Sequence, residues 1–108
     1  MSEQAYFKYQ VRFHPAALKE YERLDNSVAE IVDKKLSDLE KRADAIGKAL
    51  SGNLIGYREI KLRDAGIRVI YETLHDEGSN HGVVYILTIQ KREKKQAFEM
   101  AEQRINKR

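Results

Sequence analysis

Four cations mark the part of the chain where chemistry could sit: Lys61, Arg63, Arg68 and Arg92. Lys61 and Arg63 are two apart in an alternating stretch, so on a strand both point to one face. Arg68 follows the turn Asp64-Ala65-Gly66, and Arg92 closes the last apolar run. Cations from three strand ends can therefore converge on one surface. Such convergence suits cleavage of an RNA phosphodiester, in which a 2′-OH attacks the adjacent phosphorus in line and the 5′-oxygen leaves. The transition state is more negative than the ground state, so preorganised cations favour it selectively. Removing one such contact typically costs about 3–4 kcal/mol of barrier. A lysine among other cations has a depressed pKa, which lets it approach a general base near neutral pH. The same residues also read as solvated cations on a hairpin face, and spacing alone leaves both readings open.

Other chemistries find little support. The chain has 108 residues and no cysteine, which excludes a disulfide scaffold, a thiol nucleophile and a Cys-ligated zinc site. His14, His75 and His81 lack metal-ligand spacing, so no metal or other cofactor is expected. The G-x-x-x-x-G-K, G-x-G-x-x-G, H-E-x-x-H and G-x-S-x-G patterns are all missing. Apolar residues make up 42% and charged residues 34%, the balance of a single compact domain over 1–108. No apolar run approaches the roughly 18 residues of a membrane span. The start MSEQAYFKYQ has no basic segment followed by an apolar one, so the expected location is the cytoplasm, away from membranes.

Charge is unevenly placed. The net charge is +3, and residues 1–53 carry nine basic and nine acidic side chains. Residues 54–108 carry eleven basic against eight acidic, so the whole excess lies there. Arg58, Lys61, Arg63 and Arg68 form one group; Lys91, Arg92, Lys94 and Lys95 form a second. Groups of this kind suit a polyanion, because each phosphate neutralised releases counterions.

The elements that must position these residues follow from periodicity. Residues 6–13 alternate, with Phe7, Tyr9, Val11 and Phe13 on one face, and predict a half-buried strand. Pro15 suits the first turn of a helix reaching about Leu24. Ser27 and Glu30 have capping-box spacing and predict a second helix to about Ala45, antiparallel to the first. Residues 57–63 and 67–74 predict a hairpin with Gly66 at the left-handed position. Residues 83–89 are apolar almost throughout and predict a strand covered on both faces. Beyond Lys91 the pattern is helical, with Ala97, Met100, Ala101 and Ile105 inward. The order is β-α-α-β-β-β-α. The expected class is α+β: a mostly antiparallel four-stranded sheet packed on a helical hairpin, with a C-terminal helix.

Y-R-E-I-K-L-R-D-A-G-I-R-V-I-Y, followed by an apolar strand ending in Q-K-R-E-K, resembles the RelE branch of the RelE/ParE toxin superfamily. The segment F-H-P-A-A-L-K-E-Y-E-R-L is similar to the family's strand-to-helix opening, and the element order matches over residues 6–106. The resemblance implies the toxin of a type II toxin–antitoxin pair: a metal-independent endoribonuclease that enters the ribosomal A site and cuts mRNA, leaving a 2′,3′-cyclic phosphate. It implies a cognate antitoxin as partner. Lys61 matches the strand lysine implicated in proton abstraction or charge stabilisation. Arg68 matches the arginine that holds the scissile phosphate, and Arg92 one that supports the transition state or leaving group. Arg63 matches a nucleic-acid contact, and Arg58, Lys91, Lys94 and Lys95 extend the basic surface. Two positions depart from the pattern. Glu59 stands where the branch has a second lysine, and reads as a solvated strand carboxylate or, less favoured, a substitute base. Phe98 stands where the branch has a base-stacking tyrosine, which keeps the ring and loses the hydroxyl. Alternatives are a ParE-like inhibitor of DNA gyrase and a catalytically weak nucleic-acid-binding member.

Overall fold

Alternation in residues 9–13 builds β1 (Tyr9–Phe13), which turns Tyr9, Val11 and Phe13 toward the core. The computed structural model describes residues 8–75, 81–92 and 96–106. Pro15 then opens α1 (Pro15–Glu22), and His14 caps it by accepting the Ala16 amide at Nδ1, 3.0 Å away. The second helix, α2 (Asn26–Arg42), folds back, and its Val32 and Leu39 are fully buried beside Ala17. The remaining elements are β2 (Lys48–Ala49), β3 (Arg58–Leu62), β4 (Ile67–His75), β5 (Gly82–Lys91) and α3 (Gln96–Asn106). Among the described residues no helix is long and apolar enough to cross a membrane.

The strands form one sheet in the order β1-β5-β4-β3-β2. β1 runs parallel to β5 and every other pairing is antiparallel. The helical hairpin packs on the face carrying Ile60, Leu62, Val69, Tyr71, Val84 and Ile86. The other face carries Ile70 and Leu87, and α3 covers it with Ala97 and Ala101. The α+β class and the element order agree with the sequence reading. The differences have local causes. The sheet has five strands, because the two-residue β2 is too short to show alternation. The second helix starts at Asn26 with Asp25 extended as its cap, so Ser27 already lies inside and the Ser27–Glu30 box does not form. The helices end at Glu22 and Arg42 rather than near Leu24 and Ala45. Phe7 lies outside the described residues.

Two polar clusters fasten these layers. β1 stops at Phe13, opposite Ile86, which leaves the later part of β5 without a strand neighbour on that side. Glu20 of α1 fills in: it accepts the Ile89 amide at 3.0 Å, the Thr88 hydroxyl at 3.1 Å and the Gln90 amide. Arg104 of α3 meets the same carboxylate with both terminal nitrogens, at 2.9 and 2.7 Å. One acidic side chain thus ties α1, β5 and α3 together. On the other side, the buried Tyr71 hydroxyl lies 2.8 Å from the Ala43 carbonyl and 2.6 Å from that of Ile46, at the end of α2. Gly47 follows at φ +81°, and a Cβ there would come within 2.8 Å of the Tyr71 hydroxyl, so only glycine fits.

Candidate active site

The β3–β4 hairpin sets the site. Gly66, at φ +67°, takes the left-handed turn, and the resulting register places Lys61 directly opposite Arg68. Residues opposite each other in a sheet share a face. The Arg92 amide donates to the Gly66 carbonyl at 3.0 Å, so Arg92 leaves β5 against the same turn. Lys61, Arg68 and Arg92 therefore lie at one end of one sheet. Lys61 is half-buried and Arg92 exposed, and neither takes part in an ion pair among the described residues.

The other cations fall differently. Arg63 is not on β3: the strand ends at Leu62, whose ψ of 84° starts a turn of 3-10 helix over Arg63–Ala65. Its side chain is exposed at the rim of the turn rather than two steps along a strand from Lys61. Arg58 lies away from the cluster. It donates to the Ile46 carbonyl at 2.9 Å and the Gly47 carbonyl at 3.2 Å, bracing the loop that Tyr71 also holds. β3 pairs with β4 without a bulge from Arg58 to Leu62, so Arg58 does not shift into the place taken by Glu59. Lys91 is exposed opposite Ile67. Lys94 and Lys95 lie outside the described residues.

Glu59 overturns its sequence reading. It is only 4% exposed, so it is not a solvated carboxylate. Its Oε2 lies 2.8 Å from Nε of Arg68, a diagonal neighbour across the strand pair. The contact is ionic, but its angles are too bent for a hydrogen bond, and both atoms stay buried without one. Phe98, in the first turn of α3, places its ring 4.5 Å from the Arg68 guanidinium carbon. One face of that ring is thus covered by a cation, and the ring, partly buried, packs against the small core under α3. Sequence reasoning missed this sandwich. The signal that could have found it was the apolar stripe of α3, which needs a sheet face to cover and so buries whatever β3 carries there.

A groove of about 390 Å³ runs along the edge of β3, where β2 gives out. Lys35 from α2, Lys48 from β2, Lys61 and Arg63 line it together with Glu59. Lys35 and Lys48 are further candidates for contact with an anionic chain. A strand-period reading had no reason to bring a helix-surface lysine to this edge.

Comparison with known proteins follows the same outline. Residues 11–96 match the ParE toxin of type II toxin–antitoxin system, parDE. The chain is 32% identical over 101 residues to an mRNA interferase toxin RelE of Escherichia coli, covering 94% of this chain and 98% of that one. The structure of an E. coli RelE toxin mutant in the free state is 31% identical, covers 91% of this chain and 98% of its own, and superposes with a TM-score of 0.71. The toxin in the crystal structure of the intact E. coli RelBE toxin–antitoxin complex is 31% identical, with coverage of 80% and 99% and a TM-score of 0.61.

Proposed function

Because this chain belongs to the RelE branch of the ParE/RelE family of type II toxins, we propose that its cation cluster cleaves mRNA in the ribosomal A site. It is an mRNA interferase, an endoribonuclease, by that membership. The observation that supports the manner of cleavage is the register of Lys61 against Arg68, with Arg92 fixed beside Gly66. In the proposed step the 2′-OH gives up its proton as its oxygen bonds to phosphorus, and the bond to the 5′-oxygen breaks. The products are a 2′,3′-cyclic phosphate and a 5′-oxyanion, which takes a proton from solvent water to become the free 5′-hydroxyl. Arg68 holds a non-bridging oxygen, and Arg92 steadies the charge on the leaving oxygen. Lys61 takes that proton as the neutral amine or, as the ammonium, offsets the charge on the attacking oxygen while solvent water takes the proton. Each acts most strongly where charge is greatest, in the transition state. The Arg68 ion pair supports this reading, because it runs through Nε and leaves the terminal nitrogens as donors for a phosphate oxygen.

The ribosome supplies the orientation of the 2′-OH, so naked RNA is a poor substrate. Exposed Arg63, Lys91 and the groove along β3 hold the RNA backbone. The protein acts in the cytoplasm, where translation occurs. Its antitoxin is an acidic, partly disordered segment that folds on the basic surface. The RelBE complex of E. coli supports an antitoxin as partner. Primer extension on mRNA in a translating extract tests the activity. Breaks mapping to A-site codons are expected. Intact mRNA together with arrested DNA supercoiling contradicts the reading and identifies a ParE-like inhibitor of gyrase. Rapid digestion of isolated RNA contradicts the dependence on the ribosome.

A further inference from the structure

We propose that Glu59 is the positioning residue for the phosphate-binding arginine: its carboxylate, with the Phe98 ring, fixes the plane and direction of the Arg68 guanidinium. The inference rests on the cleavage reading above. A guanidinium is planar and presents its donors as a rigid fork, so its orientation decides whether two of them meet a phosphate together. On a strand, Arg68 alone has several rotatable bonds to settle that orientation. The structure removes this freedom from two directions. Phe98 lies 4.5 Å from the guanidinium carbon and blocks rotation out of plane. Glu59 meets Nε at 2.8 Å and fixes which edge turns inward. The pairing is through Nε, and Arg68 forms no other ion pair among the described residues, so the terminal nitrogens keep their donors for a ligand.

Burial explains why a carboxylate is needed. The Arg68 side chain is 12% exposed and that of Glu59 5%. A cation this far under α3 requires a counter-charge to remain ordered. The contact engages Nε of Arg68 and one oxygen of Glu59. The pair therefore orients the guanidinium through Nε and leaves its terminal nitrogens for a ligand. Lys61, two positions along the same face of β3, flanks the pair.

The test is single-turnover cleavage of A-site mRNA on programmed ribosomes, with saturating folded toxin. Glu59→Gln keeps the shape and removes the charge; its rate should fall ten- to a hundredfold, with half-saturation within about threefold of the parent protein. Glu59→Asp, which keeps the charge, should recover part of the rate. Glu59→Gln added to Arg68→Ala should slow cleavage no further, because the residue acts through Arg68. A double variant slower than Arg68→Ala, with an ionisation lost from the rate–pH profile, shows a general base instead and overturns the proposal. A Glu59→Gln protein as fast as the parent, or faster, overturns it as well. A second readout does not need activity. The Nε–H signal of Arg68, identified by its loss in Arg68→Ala, should exchange with water at least tenfold faster in Glu59→Gln. Unchanged exchange means that Glu59 does not hold the arginine. A parent protein that leaves A-site mRNA intact removes the cleavage reading, and the exchange result still decides the clamp.

Discussion

Replacing Glu20 by alanine should be among the most damaging single changes outside the proposed active site. Its carboxylate takes both terminal nitrogens of Arg104, the Thr88 hydroxyl, the Ile89 amide and the Gln90 side chain. The Glu20 and Arg104 side chains are 19% and 12% exposed. Removing one partner of a mostly buried ion pair costs about 3–5 kcal/mol, because the other charge is left without compensation. A domain of this size has a total stability of about 5–15 kcal/mol, so the variant should stay folded with little margin. The melting midpoint should drop by roughly 15–25 °C. Arg104→Met keeps the hydrocarbon packing and leaves the carboxylate three neutral donors, so it should cost less, about 2 kcal/mol. Once Arg104 is gone, Glu20 has less to hold. The double variant should therefore be more stable than the two separate losses add up to, with a coupling energy of about 2 kcal/mol. Urea unfolding of the four proteins, with equal slopes, gives the cycle directly. Additivity to within about 0.5 kcal/mol would refute the idea that this pair joins α1 to α3.

Tyr71→Phe should destabilise the fold by about 1–2 kcal/mol, since it removes the hydroxyl that lies between the Ala43 and Ile46 carbonyls and leaves only Ile46 with a second donor, Arg58; thermal unfolding measures this. Burial is the main cause that pushes the Tyr71 phenol up to about 12, partly opposed by Arg58. Its folded value lies above that of the unfolded chain, so its stabilising contribution is complete below about pH 10 and is lost as pH rises through 12. A spectrophotometric titration should show a phenol step near pH 12 that disappears in Tyr71→Phe; the same step surviving contradicts the assignment. Gly47→Ala should cost at least about 1–3 kcal/mol, because it adds a side chain at positive φ and 2.8 Å from the Tyr71 hydroxyl; unchanged urea unfolding counts against it.

Much of the fold was readable where burial is one-sided. Tyr9, Val11 and Phe13 alternate because only one face of β1 meets the core, and Pro15 and Gly66 mark backbone geometries that few residues adopt. The cross-strand relation of Lys61 to Arg68 followed from the length of the hairpin turn. What was hidden depended on more distant packing. Glu59 looked solvated because it alternates with Ile60, yet α3, from the far end of the chain, buries that face too. Arg63 kept the strand period in sequence, but the backbone had already turned at Leu62. Arg58 resembled a surface cation until the loop after α2 brought two carbonyls to it. Glu20 gave no signal, since its partners are spread over β5 and α3.

The most direct measurement is the single-turnover rate of A-site mRNA cleavage by folded Lys61→Ala, Arg68→Ala and Arg92→Ala, each beside the parent protein. Cations at one end of one sheet that stabilise the same phosphorus centre should each lower the rate by about 10²–10³-fold when lost. Arg68→Ala and Arg92→Ala proteins that cut as fast as the parent would contradict the account.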